Sequence, residues 1–233
     1  MTALAWPAVL VPRAPDVYLD ARTVSGGISL SGKEQVASRD FGIWRAALTQ
    51  IPIRTTEQVL AINALLARLD GRNGTVLVPM FDSIRAPWAV DSYGRVLNPA
   101  EARRQAGYRD VDGSVYGAPA GFVDTLIQAR LLGAAASRAA VVSINILKGS
   151  MPQPGMHFSI GNCAYRIRDV LSVVGSVVTC NIRPGLRLAA PPGAAVNFTS
   201  PAIEMRLTTD DQGHAPLDLW RLASISLEFV EAT

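Results

Sequence analysis

Only residues 56–70 space their apolar side chains like a helix: Val59, Ile62, Leu66 and Leu69 recur at helical intervals, and Leu65 widens the stripe. Most other patterned stretches alternate with a period of two, which places side chains of like character on one face of a strand. A chain with one amphipathic helix among many alternating runs is restricted to mainly-β architectures. The helix carries its own boundary signals. Thr55 is the expected N-cap, Gln58 completes a capping box, and Gly71 follows as the stop. Arg68 and Arg72 lie at the negative end of the helix dipole.

The alternating runs can be followed along the chain. Asp16 to Asp20 form a short strand after Pro12 and Pro15. Gly26-Gly27 is expected to turn, with Ile28 and Leu30 on one face of the next strand before Gly32. From Phe41 to Ile51 a strand directs Trp44, Ala46 and Leu48 to one side, and Thr75–Pro79 follows the helix. Further runs cover 122–129, 138–147, 157–162, 164–168, 178–182, 195–198 and 203–207, with a tight hairpin expected at Gly161-Asn162. Short strands at this spacing predict a small closed or nearly closed barrel over 138–203. The final run, Trp220 to Glu231, directs Ile225, Leu227 and Phe229 inward and is long enough for a main sheet.

Between Asp82 and Gly121 the alternation stops. Pro87, Pro99 and Pro119 recur among glycines, with one short helix expected at 99–104 behind Asn98. So long an irregular segment is usually functional or mobile. It carries Trp88, Tyr93, Tyr108 and Tyr116, and aromatic side chains on an arm commonly anchor into a neighbour. These four are the candidate subunit-interface residues, and a loop folded back onto its own subunit is the other reading of the segment.

Composition narrows the function classes. Hydrophobic residues are 49% and charged residues 18% of the chain, which argues against disorder and for a surface poor in charge. A large core or extensive burial by partners accounts for that equally well. All but Lys33 and Lys148 of the 22 basic residues are arginine, scattered along the sequence rather than grouped. That scatter argues against a nucleic-acid stripe. Forked guanidinium groups suit subunit interfaces, and a GC-rich coding sequence explains the same bias. Residues 1–12 lack a basic start and are interrupted by Pro7 and Pro12, so no targeting segment is expected. No run approaches the ~20 apolar residues needed to span a bilayer, so a soluble protein made in a cytoplasm, without membrane insertion, is expected.

Groups suited to chemistry are few. His157 and His214 are the only histidines, and no serine stands in a Gly-x-Ser-x-Gly turn. Phosphate-cradling glycine loops are absent. Asp110-Val111-Asp112-Gly113 resembles a piece of a calcium loop without its later glutamate, and Asp210-Asp211 reads as a solvated turn. Cys163 and Cys180 cannot hold a structural zinc alone and read as small buried thiols. No catalytic, cofactor-binding or metal residue is assigned, no cofactor is expected, and the chain reads as a structural protein rather than an enzyme.

Several segments, taken in order, carry a family resemblance. They are Ala5-Trp6-Pro7-Ala8 with the strand near Tyr18; Trp44 to Leu48; the helix ending Leu65 to Arg72; and Gly74 to Pro79. Ile182 to Arg187 and the closing Ile225 to Glu231 complete the set. Together they resemble distal tail proteins of long-tailed siphophage-like bacteriophages and gene-transfer-agent-like particles, over about two thirds of the chain; 84–121 lies outside the resemblance. The resemblance implies a tail-tube-like β-sandwich with one helix, formed by 1–83 and 204–233, that closes a hexameric ring. It further implies an arm and connecting strand over 84–137 and an inserted β-barrel over 138–203. Its implied partners are copies of itself, the tail tube protein and baseplate hub or tail-tip proteins, at the tail tip of a virion. Other readings are a different minor tail, baseplate or head–tail joining protein, a carbohydrate-binding module using exposed Trp or Tyr, and a cell-wall hydrolase.

Overall fold

A computed structural model of the chain describes residues 3–21, 23–29, 31–38, 42–81, 127–149, 151–213 and 223–232. Its elements are mainly strands, with a single helix among the described residues. The chain divides into two compact units, one formed by 1–81 with 202–233 and the other by 82–201.

In the first unit, β1 (Leu4–Ala5), β2 (Ala14–Asp20), β5 (Ile43–Ile53), β6 (Val76–Pro79), β13 (Ala202–Leu207) and β14 (Ala223–Glu231) make one sheet in the order β1-β6-β13-β14-β5-β2. The β1–β6 pair is parallel and the other pairings are antiparallel. Alternation selects the buried face. Trp44, Ala46, Leu48, Ile51 and Ile53 on β5 are all buried, as are Ile225, Leu227 and Phe229 on β14. Leu48 and Ile51 are three residues apart yet share that face because β5 bulges: Thr49 and Gln50 together oppose Ser226, and Gln50 takes φ 54. The expected strand from Phe41 is described from Ile43, and it continues past Ile51 to Ile53.

The helix α1 (Thr56–Leu69) starts where its sequence signals place it. The Gln58 N–H donates to Thr55 Oγ1 at 3.3 Å, and the Thr55 N–H donates back to Gln58 Oε1 at 3.3 Å. Its stop comes one residue before the expected glycine: Asp70 is the left-handed cap, with its N–H on the Leu66 carbonyl. Ile62, Leu65 and Leu69 are buried, while Val59 and Leu66 are partly covered. This stripe is the counterpart that the sheet's apolar face requires. Trp6 ties down the N-terminal segment, its indole N–H donating to the Leu10 carbonyl at 2.7 Å and its ring lying edge-on to Phe81 and Phe229.

A separate two-stranded sheet joins β3 (Thr23–Ile28) to β4 (Glu34–Ser38). Gly26-Gly27, expected as the turn, instead lies inside β3 at a register shift, and the chain reverses between Ser29 and Lys33. A glycine at positive φ serves a bulge as well as a turn, so the dipeptide alone does not choose between them.

The second unit is a closed barrel of β7 (Gln128–Leu131), β8 (Val141–Lys148), β9 (His157–Ile160), β10 (Cys163–Val174), β11 (Val177–Arg183) and β12 (Ala195–Asn197), in the order β10-β11-β8-β7-β12-β9. The barrel therefore starts at Gln128, upstream of the expected 138, because β7 is needed to link β8 to β12. Gly161-Asn162 is the two-residue hairpin loop expected, and Gly175-Ser176 is a second one. The first loop residue has φ 59 in both, the pattern of a type II′ turn. Phe158, Tyr165 and Phe198 pack at the centre with ring centroids 5.3–5.5 Å apart.

Candidate functional site

The four aromatic residues proposed for subunit contact, Trp88, Tyr93, Tyr108 and Tyr116, lie outside the described residues, as do the short helix at 99–104, Asp110, Asp112 and His214. Among the described residues, the geometry directs attention to one margin of the first unit. β2 ends the sheet order, with no described strand on its outer side. Immediately after it the chain runs out into the β3–β4 hairpin and returns to β5, which pairs with β2 as far as Asp20 and Ile43.

The end of that hairpin is open to solvent. Residues 25–29 and 31–35 are all exposed, and Ile28 is 76% exposed. Its internal bonds are short-range and wet: Ser25 Oγ donates to Glu34 Oε1 at 2.6 Å, and Ser29 Oγ donates to the Lys33 carbonyl at 2.8 Å. A two-stranded ribbon by itself is marginal in water. An unpaired sheet edge also tends to recruit another strand. The edge strand and the hairpin that follows it in the chain are thus each suited to packing against a further chain. Sequence reasoning saw strands and glycines there but misplaced the turn, and so did not see a projecting ribbon.

Among the described residues no three His, Cys, Asp or Glu side chains group to hold a metal ion. No helix among the described residues is long and apolar enough to cross a membrane. The buried Glu231 carboxylate accepts the Trp44 backbone N–H at 3.0 Å, so it is tied to the sheet rather than directed at a cavity. In the barrel, Cys163 and Cys180 are free thiols, and Cys180 is fully buried. Burial pushes the Cys180 thiol from its ordinary 9.0 up to about 12, and it also pushes the Tyr165 phenol upward while that oxygen accepts the Arg187 N–H at 3.1 Å.

Because Cys180 stays neutral when folded and ionises more easily when unfolded, its contribution to stability is complete below about pH 9 and is lost as pH rises toward 12. Barrel stability is therefore expected to be level from pH 7 to 8.5 and to fall above pH 9, with a shallower fall in Cys180→Ala, as read by urea titrations across that range. An equally steep fall in the variant would remove Cys180 as its source.

The arginines scattered along the sequence are not all scattered in space. Arg166 on β10 stands directly opposite Arg183 on β11, with His157 on β9 as the next residue in the same row. All three barrel rings lie in the core, so no described aromatic residue of the barrel offers the exposed stacking face that a sugar-binding module of the usual kind needs. In comparisons with protein-family models and with curated proteins, the chain matches none.

Proposed function

We propose that the protein is a structural, ring-forming component of a tail-like particle, of the distal tail type, joining a tail tube to the hub or tip beyond it. The observation that carries this reading is the exposed margin of β2 with the β3–β4 hairpin. The described side chains at the end of this ribbon are exposed, the ribbon follows a strand whose outer side meets no described strand, and a second copy of the chain is the partner that can cover both. A margin of this kind meeting a different surface of the next copy is a heterologous contact, and such contacts close into rings when the rotation permits. The order of sequence segments resembling tail proteins supports the same assignment, as does a barrel carried between the two halves of the sheet-forming unit.

The test is to replace residues 23–38 with a short Gly-Ser turn, which β2 and β5 can accept because Asp20 already faces Ile43. Sedimentation and electron microscopy are expected to show closed rings for the full chain. The shortened chain should be a folded monomer that keeps its helical and strand circular dichroism. Monomers of the full chain at high concentration, or rings that survive loss of the hairpin, would remove the basis of the proposal.

A further inference from the structure

Charge is distributed unequally along the chain. Residues 127–201, which hold every barrel strand, contain seven arginine or lysine residues and one acid, Asp169, whereas the remaining chain has 15 bases against 18 acids. The lone acid is already engaged: Asp169 Oδ2 lies 3.2 Å from Arg168 Nε. A small barrel of one sign, attached to a unit of the other, concentrates counter-charge at its own surface.

The register shows where on the barrel this charge falls. Cross-strand partners share a face, so the outward positions of β11, alternating with buried Val178, Cys180 and Ile182, define successive rows. Val177 lines up with Asn145, and Asn145 with Arg130 on β7. The next row joins Thr179 to Ser143, whose hydroxyl oxygens are 3.1 Å apart, and to Ser172. Asn181 follows, paired with Val141 and Asp169, and Arg183 with Arg166 and His157 ends the series. From Val177 to Arg183 this strip is ~20 Å long at about 3.3 Å per residue. Its middle bears hydroxyls and amides beside Asp169 and the exposed Val141, exposed Val174 lies next to Val177 at one end, and guanidinium groups stand at both ends, Arg130 at one and Arg166 with Arg183 at the other.

We infer that this outer face of β8, β10 and β11 is a binding surface for an anionic polysaccharide, a hydroxyl-rich chain bearing carboxylate or phosphate groups at intervals. Three features favour that ligand over other polyanions. Arg166 and Arg183 stand directly opposite on neighbouring strands, so two guanidinium groups converge on one outward spot where an anionic group can bridge them. Between the arginines stand the hydroxyls and amides of Thr179, Ser143, Ser172 and Asn181, with the carboxylate of Asp169 and the apolar Val141 among them, instead of the continuous basic row that a nucleic-acid backbone favours. Phe158, Tyr165 and Phe198 are buried, so the described residues of the barrel offer no stacking platform for unpaired bases. The inference concerns the barrel alone and holds whether or not the first unit forms rings.

Isothermal titration of the full chain with polygalacturonate, neutral dextran and duplex DNA tests it. Polygalacturonate is expected to bind, more weakly as salt rises, while dextran does not bind and DNA binds more weakly. Arg166→Gln with Arg183→Gln is expected to weaken polygalacturonate binding about tenfold or more, the scale of losing charge-assisted hydrogen bonds. Thr179→Val should weaken it several-fold with DNA binding unchanged. Arg166→Gln alone should leave the melting temperature level or raised, which separates loss of a contact from loss of fold. Absence of polygalacturonate binding, or full binding by the doubly substituted chain, overturns the assignment. So does tighter binding of DNA that ignores Thr179→Val, which would mark a surface for any polyanion.

Discussion

Phe158→Ala is expected to destabilise the barrel by about 3–5 kcal/mol, the range for emptying a buried aromatic site. Phe158 is fully buried, and its ring lies 5.5 Å from Tyr165 and 5.3 Å from Phe198. It sits on β9, a strand of only four residues that must pair with both β10 and β12 for the barrel to close. Neighbours in a closed barrel cannot collapse into the void without breaking that pairing, so the cost should fall toward the upper end of the range. Hydrogen exchange read by mass spectrometry is the suitable measurement. Protection should drop across β7 to β12, and the peptides of β5, β14 and α1 should keep theirs. An equal loss in both sets would mean that the two compact units unfold as one.

The complementary result is expected for Trp44→Ala. Trp44 is 1% exposed on β5, a strand that pairs with β14 on one side and β2 on the other. Its backbone N–H is also where Glu231 anchors. Removing the indole should cost the first unit about 3–5 kcal/mol, a large part of the 5–15 kcal/mol that holds a typical domain together. The barrel peptides should then keep their protection while those of the sheet lose it. Together the two variants measure whether each core is sufficient for its own unit.

Much of this architecture was legible in the chain because it rests on local signals. The capping box at Thr55 and Gln58 fixed the helix start, and strict alternation in Ile225, Leu227 and Phe229 fixed the face of β14. Legibility failed where the backbone departs from regular pleating. Two bulges in β10, at Arg168 and Leu171, bring Tyr165, Ile167 and Val170 to the inner face at uneven intervals, so the strand's outer half does not alternate and seemed to end near Arg168. β7 has four residues, too few for a period to stand out, and only closure of the barrel reveals its place. The facing of Arg166 and Arg183 depends on register, which relates residues 17 positions apart and is invisible in linear order. The hairpin's exposure likewise depends on what does not pack against it, and a sequence does not record that.

One pairing has a consequence for how such a protein can change over time. Ala202 lies directly across from Pro79, so β6 and β13 are in effect the two legs of an ordinary hairpin whose bend has been swapped for all of 82–201. Chain closure grows costlier only logarithmically with length, by ~0.6 kcal/mol for each doubling, and a folded guest with its own interior offsets that cost. The host sheet can therefore acquire, trade or shed whatever sits at this junction while its own hydrogen-bond ladder stays the same, which makes the position a natural port for fitting one scaffold to different surroundings.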